Sequence, residues 1–336
     1  MEWGDRQVPP PLKGTSMLSR PAFGWAVALL LVAAEPRVAP AQAGPTFTRQ
    51  ADVIYGRKYG TALTMDVFTP KQKANGAAAI LVVSGGWSSA HEFPPDSAFA
   101  GELLKRGYTV FAVYHSSQPQ YTIPEIIRDV NRAVRFIRHH ARDYKLDRNR
   151  FGIYGASSGG HLALMQGLAG DTGDPSAKDP VEKESSRVQA VACFFPPTDF
   201  LNYGKPGEVA LGRGPLAGLK AAFAFREFDT KTQTFIPVKD EGQVLKIGRQ
   251  ISPVYHVSRA APPALLFHGD ADKLVPIQQS ELLVRKFKET GVEAKLVVKP
   301  GTRHAYGLVM GLGHGWPNLS KDLALIADWF DKHLGH

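Results

Sequence analysis

The pattern of hydrophobic and polar positions predicts an alternation of strands and helices along most of the chain. Apolar residues alternate with polar ones at Leu63, Met65 and Val67, which indicates a half-buried strand that ends at Pro70. A short continuous apolar run predicts a buried central strand at 77–83, and another apolar strand is predicted at 109–114. Further strand candidates lie at 151–154, 188–195, 264–267 and 294–298. Apolar residues at helical spacing predict helices at 97–106, 126–137, 280–289 and 321–334. This alternation indicates a mostly parallel sheet with helices on both faces, where ligands bind beyond the carboxyl ends of the strands.

A glycine-rich segment lies between the predicted strand at 151–154 and the helical run that follows it. The segment reads Gly155-Ala156-Ser157-Ser158-Gly159-Gly160 and so contains the pattern Gly-x-Ser-x-Gly. In a nucleophile elbow this pattern places the serine on a sharp strand-to-helix turn, and the flanking residues must lack bulk. The start of a helix also favours the negative charge of an oxyanion. We therefore predict that Ser157 is a nucleophile; a plain glycine-rich turn is the alternative.

A serine hydroxyl needs a base that accepts its proton, and in this arrangement the base comes late in the chain. His304 follows the predicted strand at 294–298 and is the expected base. His314, between two glycines, is the competing candidate. His161 comes soon after the elbow, and we expect it to pack or to form a hydrogen bond rather than to titrate.

A carboxylate must orient the imidazole and stabilise its cation. Two candidates, Asp270 and Asp272, follow the predicted strand at 264–267. Asp272 is favoured because it lies farther from the strand, in a turn that leads to the next helix. Asp270 is expected to be a turn residue that bonds its own backbone.

Backbone amides at the end of another strand are candidate oxyanion donors. Ser84-Gly85-Gly86-Trp87 follows the strand at 77–83, and its glycines allow N–H groups to turn toward a tetrahedral oxygen. The N–H of Ser158, directly after the nucleophile, would complete the oxyanion hole. A plain turn is the alternative for Gly85 and Gly86.

These segments resemble the α/β-hydrolase superfamily, and within it the secreted bacterial esterase and lipase branch near acetyl-xylan and feruloyl esterases, often grouped with prolyl-oligopeptidase-like hydrolases. The resemblance covers roughly residues 50–335. It rests on the segments 84–87, 155–162, 195–200, 252–258, 268–276 and 301–304. It implies an α/β-hydrolase fold with a nucleophile, acid and base at Ser157, Asp272 and His304. It also implies an oxyanion hole formed by the amides of Gly85, Gly86 and Ser158.

Two positions depart from the family pattern. Ser84 stands where the family usually has histidine, and we expect activity to survive because that histidine shapes the loop and is not the base. Ser158 stands where alanine is more usual, which we expect to be harmless because only its amide is needed.

The segment 201–250 separates the predicted strands at 188–195 and 264–267, where lids often occur. We expect it to form a lid-like insertion in the catalytic domain. Its aromatic side chains are candidates to line an acyl or aryl pocket, and so is Trp87 of the segment 84–87, which we call the oxyanion segment. The residues predicted to contact substrate are Trp87, Tyr203 and Phe223. The alternative, that these side chains pack the insertion onto the body of the domain, stays open.

The composition excludes several kinds of site and partner. The chain has 336 residues, of which 43% are hydrophobic and 21% charged, so it can bury a full core. The single cysteine, Cys193, excludes an intrachain disulfide and a cysteine-rich metal site. The net charge of +9 comes from scattered basic residues, so no nucleic-acid partner is expected. No metal or organic cofactor is expected; Asp171, Asp174 and Asp179 fit no calcium-loop pattern and are expected to lie in a solvated loop.

The beginning of the chain has the features of a secretory signal. An uncharged, mostly apolar run at 23–34 follows basic residues, and 41–43 form a small-x-small site for signal peptidase. The run is too short to span a bilayer comfortably, so no stable membrane insertion is expected. We predict a signal peptide at 1–43, with Met17 as an alternative start, and a catalytic domain at 44–336. The expected location is secreted or periplasmic; an uncleaved anchor is the alternative.

These features predict a serine carboxylic-ester hydrolase for small to medium acyl or aryl esters, with acetyl or hydroxycinnamoyl esters of plant polysaccharides among the candidate substrates. Two other classes stay open. A peptidase or amidase of the prolyl-oligopeptidase type would use the same triad, but the residues before the third strand are too few for the propeller domain such enzymes normally carry. A non-catalytic binding protein with this fold would typically have lost the serine or the histidine. Oligomeric state is not indicated.

Overall fold

The predicted sheet forms the centre of the protein, for which a computed structural model describes residues 46–91, 99–305 and 315–335. The strands in these ranges are β1 Phe47–Lys58, β2 Thr61–Pro70, β3 Ala78–Val83, β4 Thr109–Tyr114, β5 Phe151–Ala156, β6 Ala190–Phe194, β7 Arg226–Asp229, β8 Thr234–Pro237, β9 Ala264–Gly269 and β10 Ala294–Lys299. The α-helices are α1 Gly101–Lys105, α2 Ile123–His139, α3 Ser158–Ala169, α4 Glu241–Gln250, α5 Gln278–Thr290 and α6 Leu319–Leu334. The signal peptide expected at 1–43 lies outside the described residues.

Eight of the described strands form one sheet, in the order β1-β2-β4-β3-β5-β6-β9-β10. The pairs β1–β2 and β2–β4 are antiparallel, and every other neighbouring pair is parallel. The mostly parallel sheet expected from the sequence is therefore confirmed, and the protein has the α/β-hydrolase fold. Strand β4 has the predicted bounds, whereas α1 is shorter than the predicted helix at 97–106.

Strand β1 is one of the elements that the hydrophobic pattern did not predict, together with β7, β8 and α4 of the insertion. It pairs with β2 over most of its length, but the register shifts between Gln50 and Val53 and again between Ile54 and Gly56. Each shift interrupts the alternation of side chains on which strand prediction depends. β1 is also an edge strand whose first half is largely exposed, so burial imposes little pattern on it.

Both faces of the sheet are buried, which explains the continuous apolar runs. Ile80 of β3 belongs to a cluster with residues of α2, α3 and α5. Its neighbour Leu81 points to the opposite face and belongs to a second cluster with residues of α1 and α6. Because successive side chains of a strand point to opposite faces, a strand covered on both sides has no polar positions to alternate with.

The insertion at 201–250 contains a 3₁₀ segment at Gly214–Phe223 that is kinked at Leu219, the hairpin β7–β8 and α4. The hairpin contacts the turn between β1 and β2, where the ring centroids of Phe235 and Tyr59 are 5.7 Å apart. Arg226 of the hairpin donates a hydrogen bond of 2.7 Å to the carbonyl of Gln120, just before α2. A movement of this insertion as a lid stays a prediction.

The parallel strands place several loops at one edge of the sheet. The carboxyl ends of β3, β5, β9 and β10 are followed by the segments 84–87, 157–160, 270–275 and 300–304. These segments carry the residues predicted to act together, so the sheet brings them to one place. Within the described ranges, no helix has the length and apolarity needed to cross a bilayer.

Candidate active site

Ser157 lies on a strained turn between β5 and α3. Its backbone angles are φ 52° and ψ −120°, a combination that residues with a side chain rarely adopt. The turn is possible because its neighbours are glycines: a Cβ on Gly155 would lie 2.6 Å from the carbonyl carbon of Gly159. A Cβ on Gly159 would lie 2.5 Å from the carbonyl oxygen of Val82 in β3. The chain therefore has the local geometry expected of a nucleophile elbow.

The structure brings His304 to this turn. The Ser157 hydroxyl and Nε2 of His304 are 3.1 Å apart, a distance at which the hydroxyl can donate its proton to the imidazole. The ring of His304 packs edge-on against Phe195, with 4.6 Å between the centroids. His314, the competing candidate, lies outside the described residues.

Asp272, rather than Asp270, faces the imidazole. Nδ1 of His304 lies 2.7 Å from Oδ2 of Asp272. The other carboxylate oxygen, Oδ1, accepts hydrogen bonds of 2.9 Å from the backbone amides of Leu274 and Val275. These two amides fix the carboxylate, which in turn fixes the tautomer with the proton on Nδ1 and leaves Nε2 as the acceptor for the serine proton.

Asp270 has a different role from the one expected. Its Oδ1 accepts a hydrogen bond of 2.6 Å from the amide of Gly301, so it bonds the loop after β10 and not its own turn. The amide of Ala271 donates to the carbonyl of Thr302 at 3.1 Å. Asp270 thus helps to join the loop that carries Asp272 to the loop that carries His304.

In the segment 84–87, the amide of Gly85 does not point to an open site as the prediction of an oxyanion donor requires. The amide of Gly85 donates to the carbonyl of Ser88 at 2.8 Å, and the amide of Ser88 donates back at 3.0 Å. The Gly85 N–H is therefore engaged inside its own turn. In the part of the chain that the structure describes, the hydrogen bonds of this turn leave the amide of Gly86 unused. The amide of Ser158 is the first of α3 and has no acceptor within the helix.

The Ser158 side chain also has a partner that the sequence did not indicate. Its hydroxyl lies 2.9 Å from the hydroxyl of Ser84, and both residues are buried. The two positions that depart from the family pattern therefore contact each other. Their hydrogen bond links the oxyanion segment to the nucleophile elbow.

The three residues predicted to contact substrate are buried. The rings of Trp87 and Phe223 pack together with 5.2 Å between centroids, and both rings contact Phe200. The hydroxyl of Tyr203 donates to the carbonyl of Leu274 at 2.9 Å, in the loop that carries Asp272. This cluster packs the insertion onto the body of the domain, and contact between these rings and a substrate stays a prediction.

His161 is a packed residue, as expected. Its Nδ1 accepts a hydrogen bond of 3.2 Å from the indole N–H of Trp87, and its Nε2 donates to the carbonyl of Ile251 at 2.7 Å. Complete burial lowers the pKa of His161 to about 4, because burial disfavours the charged imidazolium. The ring is therefore neutral at physiological pH and fixes the Trp87 indole.

The acidic loop before β6 is neutralised by arginines of α2. Arg135 lies 2.5 Å from Asp171, and Arg132 lies 2.8 Å from Asp179. Asp174 instead accepts hydrogen bonds from Ser176. These carboxylates are thus committed to partners within the chain, which is a weaker basis for binding calcium than a set of free oxygens.

One other group in the described ranges has the donor atoms of a metal site. Asp52, Asp66 and His91 bring their ligand atoms within 4.8 Å of one another near β1 and β2. Arg49 forms an ion pair of 2.6 Å with the buried Asp66. Because this carboxylate already has a cationic partner, the group does not suit a cation well.

The geometry can be compared with known proteins. A model of the BD-FAE family matches residues 65–287, more than half of the chain. The chain belongs to the BD-FAE family. The matched range includes Ser157 and Asp272 and ends before His304.

Two curated relatives of this BD-FAE protein are named as ester hydrolases. It is 27% identical over 293 residues to the probable carboxylic ester hydrolase LipM of Mycobacterium tuberculosis, which covers 86% of this chain and 63% of LipM. It is 26% identical over 262 residues to the esterase LipQ of the same organism, which covers 77% of this chain and 57% of LipQ. The chain therefore spans less than two thirds of the length of these relatives.

Solved structures resemble the protein over most of its length. A truncated form of a carbohydrate esterase from gut microbiota has a TM-score of 0.67 and 25% identity, with 87% of this chain and 98% of that chain covered. An acetyl ester-xyloside bifunctional hydrolase from Caldicellulosiruptor lactoaceticus has a TM-score of 0.65 and 24% identity, with 84% and 95% covered. At 24% identity, the similarity to the bifunctional hydrolase supports a shared fold and carries no statement about activity.

Proposed function

We propose that this protein is a serine carboxylic-ester hydrolase with Ser157 as nucleophile, His304 as base and Asp272 as the acid that orients it. The observation that carries the proposal is the pair of hydrogen bonds that links these three side chains, 3.1 Å from serine to histidine and 2.7 Å from histidine to aspartate. The names of LipM and LipQ support ester hydrolysis as the reaction.

In the proposed reaction, Oγ of Ser157 attacks the ester carbonyl while Nε2 of His304 accepts the hydroxyl proton. The carbonyl oxygen becomes an oxyanion, which the amides of Gly86 and Ser158 stabilise. The imidazolium then gives its proton to the leaving alcohol, and an acyl-serine remains. Water attacks this ester by the same steps and releases the carboxylic acid.

We further propose small to medium acyl or aryl esters as substrates, including acetyl or hydroxycinnamoyl esters of polysaccharides. The support is the similarity to a carbohydrate esterase from gut microbiota and the aromatic cluster that Trp87 of the segment 84–87 forms with Phe223. A secreted or periplasmic location, with cleavage after residue 43, belongs to the same proposal. Mass measurement of the N-terminus of protein exported from a bacterial host tests that cleavage.

The test of the reaction is hydrolysis of p-nitrophenyl esters from acetate to dodecanoate, with methyl ferulate and a prolyl-p-nitroanilide in parallel. We compare the wild type with Ser157→Ala and with Ser176→Ala, an exposed serine in the acidic loop that serves as matched control. We expect ester turnover that Ser157→Ala abolishes and Ser176→Ala retains. Cleavage of the anilide alone would favour the peptidase class, and no cleavage by the wild type would favour a non-catalytic binding protein.

A further inference from the structure

The loop after β4 is joined to the oxyanion segment by a series of hydrogen bonds. The amide of Ser89 donates to the hydroxyl of Ser117 at 2.8 Å, and that hydroxyl donates to the carbonyl of Ser89 at 3.2 Å. The amide of Gln118 donates to the carbonyl of Trp87 at 3.1 Å. β4 is the neighbour of β3 in the sheet, so their two following loops run side by side.

The side chain of Gln118 adds one more bond to this series. Its Nε2 donates to the carbonyl of Gly86 at 2.6 Å. Gln118 therefore holds the carbonyl oxygens on both sides of Trp87, one with its backbone and one with its side chain. The side chain can be changed without changing the backbone bond, which makes its contribution measurable.

These bonds fix the direction of backbone N–H groups. In a trans peptide the carbonyl and the N–H point in opposite directions. The carbonyl of Gly86 belongs to the same peptide unit as the amide of Trp87, so the Gln118 side chain sets the direction of the Trp87 N–H. In the same way, the bond from Ser88 to the carbonyl of Gly85 sets the direction of the Gly86 N–H.

The segment needs such support because its backbone is strained. Gly86 has φ 56° and Trp87 has φ 60°, so two successive residues lie in the left-handed region. For the bulky side chain of Trp87 this region is strained, and it persists only where the surroundings impose it. The indole of Trp87 is held by His161, and its two flanking carbonyls are held by Gln118.

We propose that Gln118 is a positioning residue for ester hydrolysis: its side chain fixes the Gly86–Trp87 peptide. Through the shared Cα of Gly86 it restrains the adjoining Gly85–Gly86 peptide, whose N–H is the proposed oxyanion donor. The inference rests on the proposed function. The oxyanion exists only in the tetrahedral states, so a loosened hole weakens binding of these states more than binding of the neutral ester. Loss of the Gln118 bond should therefore lower kcat and leave KM nearly unchanged.

The test uses two replacements of nearly equal shape that cannot donate this bond. Gln118→Met removes the polar group, and Gln118→Glu places a carboxylate beside the Gly86 carbonyl at neutral pH. Gln120→Met is the matched control, because Gln120 is exposed and lies two positions away. We expect kcat to fall about tenfold in both Gln118 variants, less than the roughly 10²–10³-fold loss on removal of a whole oxyanion donor. We expect no change in the control.

A second readout does not depend on ester cleavage. A fluorophosphonate reacts with an active serine by forming a bond from Oγ to phosphorus and releasing fluoride, while the histidine accepts the hydroxyl proton. The tetrahedral phosphonate places an oxygen in the oxyanion hole, so its rate of attachment to Ser157, followed by intact mass, should also fall about tenfold in the Gln118 variants.

The outcomes separate this inference from the proposed function. Equal kcat and equal labelling rates in the Gln118 variants and the wild type overturn the inference and leave the esterase proposal intact. A raised KM with a lowered unfolding midpoint indicates general loosening and also overturns it. If the wild type cleaves no ester but Ser157 is labelled, the esterase proposal fails and the labelling rates decide on Gln118. If the wild type does neither, both fail.

Discussion

Acidification should destabilise this protein through His161, whose imidazole is held in the neutral form. The ring is fully buried, and both nitrogens have partners that suit the neutral tautomer: Nδ1 accepts from Trp87 and Nε2 donates to Ile251. Protonation of His161 at Nδ1 would place its new N–H against the indole N–H of Trp87, so that two donors would face each other. Burial accordingly lowers the pKa of His161 from 6.5 to about 4.

The size of the effect follows from the difference between the folded and unfolded chains. Below pH 6.5 the unfolded chain binds a proton at His161, whereas the folded chain does so only near pH 4. The contribution of the neutral His161 to the free energy of unfolding is therefore fully present above pH 6.5 and decreases as the pH falls toward 4. Between about pH 7 and pH 5 the loss through this residue should be about 2 kcal/mol, because each pKa unit of difference corresponds to about 1.4 kcal/mol.

The assay is urea unfolding of the wild type and of His161→Gln near pH 7 and near pH 5. His115 and His268 are also buried, with pKa values lowered to about 4, so the wild type should lose stability through all three residues. The variant should lose about 2 kcal/mol less than the wild type over this interval. His139→Gln, at an exposed position of α2, is the control and should follow the wild type. An identical loss in wild type and His161→Gln would refute the reasoning.

Three further predictions concern the site and its surroundings. Asp272→Asn should lower kcat by about 10⁴-fold with little change in KM, because the amide no longer selects the tautomer that accepts the serine proton; steady-state ester kinetics check this. Gly159→Ala should lower the free energy of unfolding by about 2 kcal/mol and abolish turnover. Its Cβ would lie 2.5 Å from the carbonyl oxygen of Val82, and urea unfolding with an ester assay measures both effects. Addition of EDTA should change neither the unfolding midpoint nor ester turnover, because Asp171 pairs with Arg135; a fall in either would point to a bound cation.

The turn that carries Ser157, the proposed nucleophile, could be predicted from the sequence because its signals are local. The glycines around Ser157, the strand before it and the helix after it lie within about twenty consecutive positions. The position of Asp272 after β9 was also predictable, since β9 is covered on both faces and appears as a short apolar run. β10, which precedes His304, is a partly exposed edge strand that could still be predicted from its apolar residues Leu296, Val297 and Val298. The parallel order of these strands then required their following loops to meet at one edge.

The hydrogen bonds between the loops at the carboxyl ends of the strands could not be predicted from local signals. The sequence does not show that the Gly85 amide is engaged by Ser88, nor that Asp270 bonds the neighbouring loop. The contact between the hydroxyls of Ser84 and Ser158 joins residues that are 74 positions apart. β1 was missed for a related reason, because its bulges and exposed edge remove the periodic pattern on which strand prediction depends.

The sequence by itself determined the α/β architecture and the tight turn at Ser157, and it predicted the chain order of Ser157, Asp272 and His304 that we propose as nucleophile, acid and base. Only the tertiary structure decided which groups meet: Ser157 and His304 are 147 positions apart and come within 3.1 Å. Only the tertiary structure placed Gln118 against the oxyanion segment. The physical reason is that hydrophobic periodicity reports which face of an element is buried, whereas a hydrogen bond between loops depends on strand order and backbone direction, which no local pattern encodes.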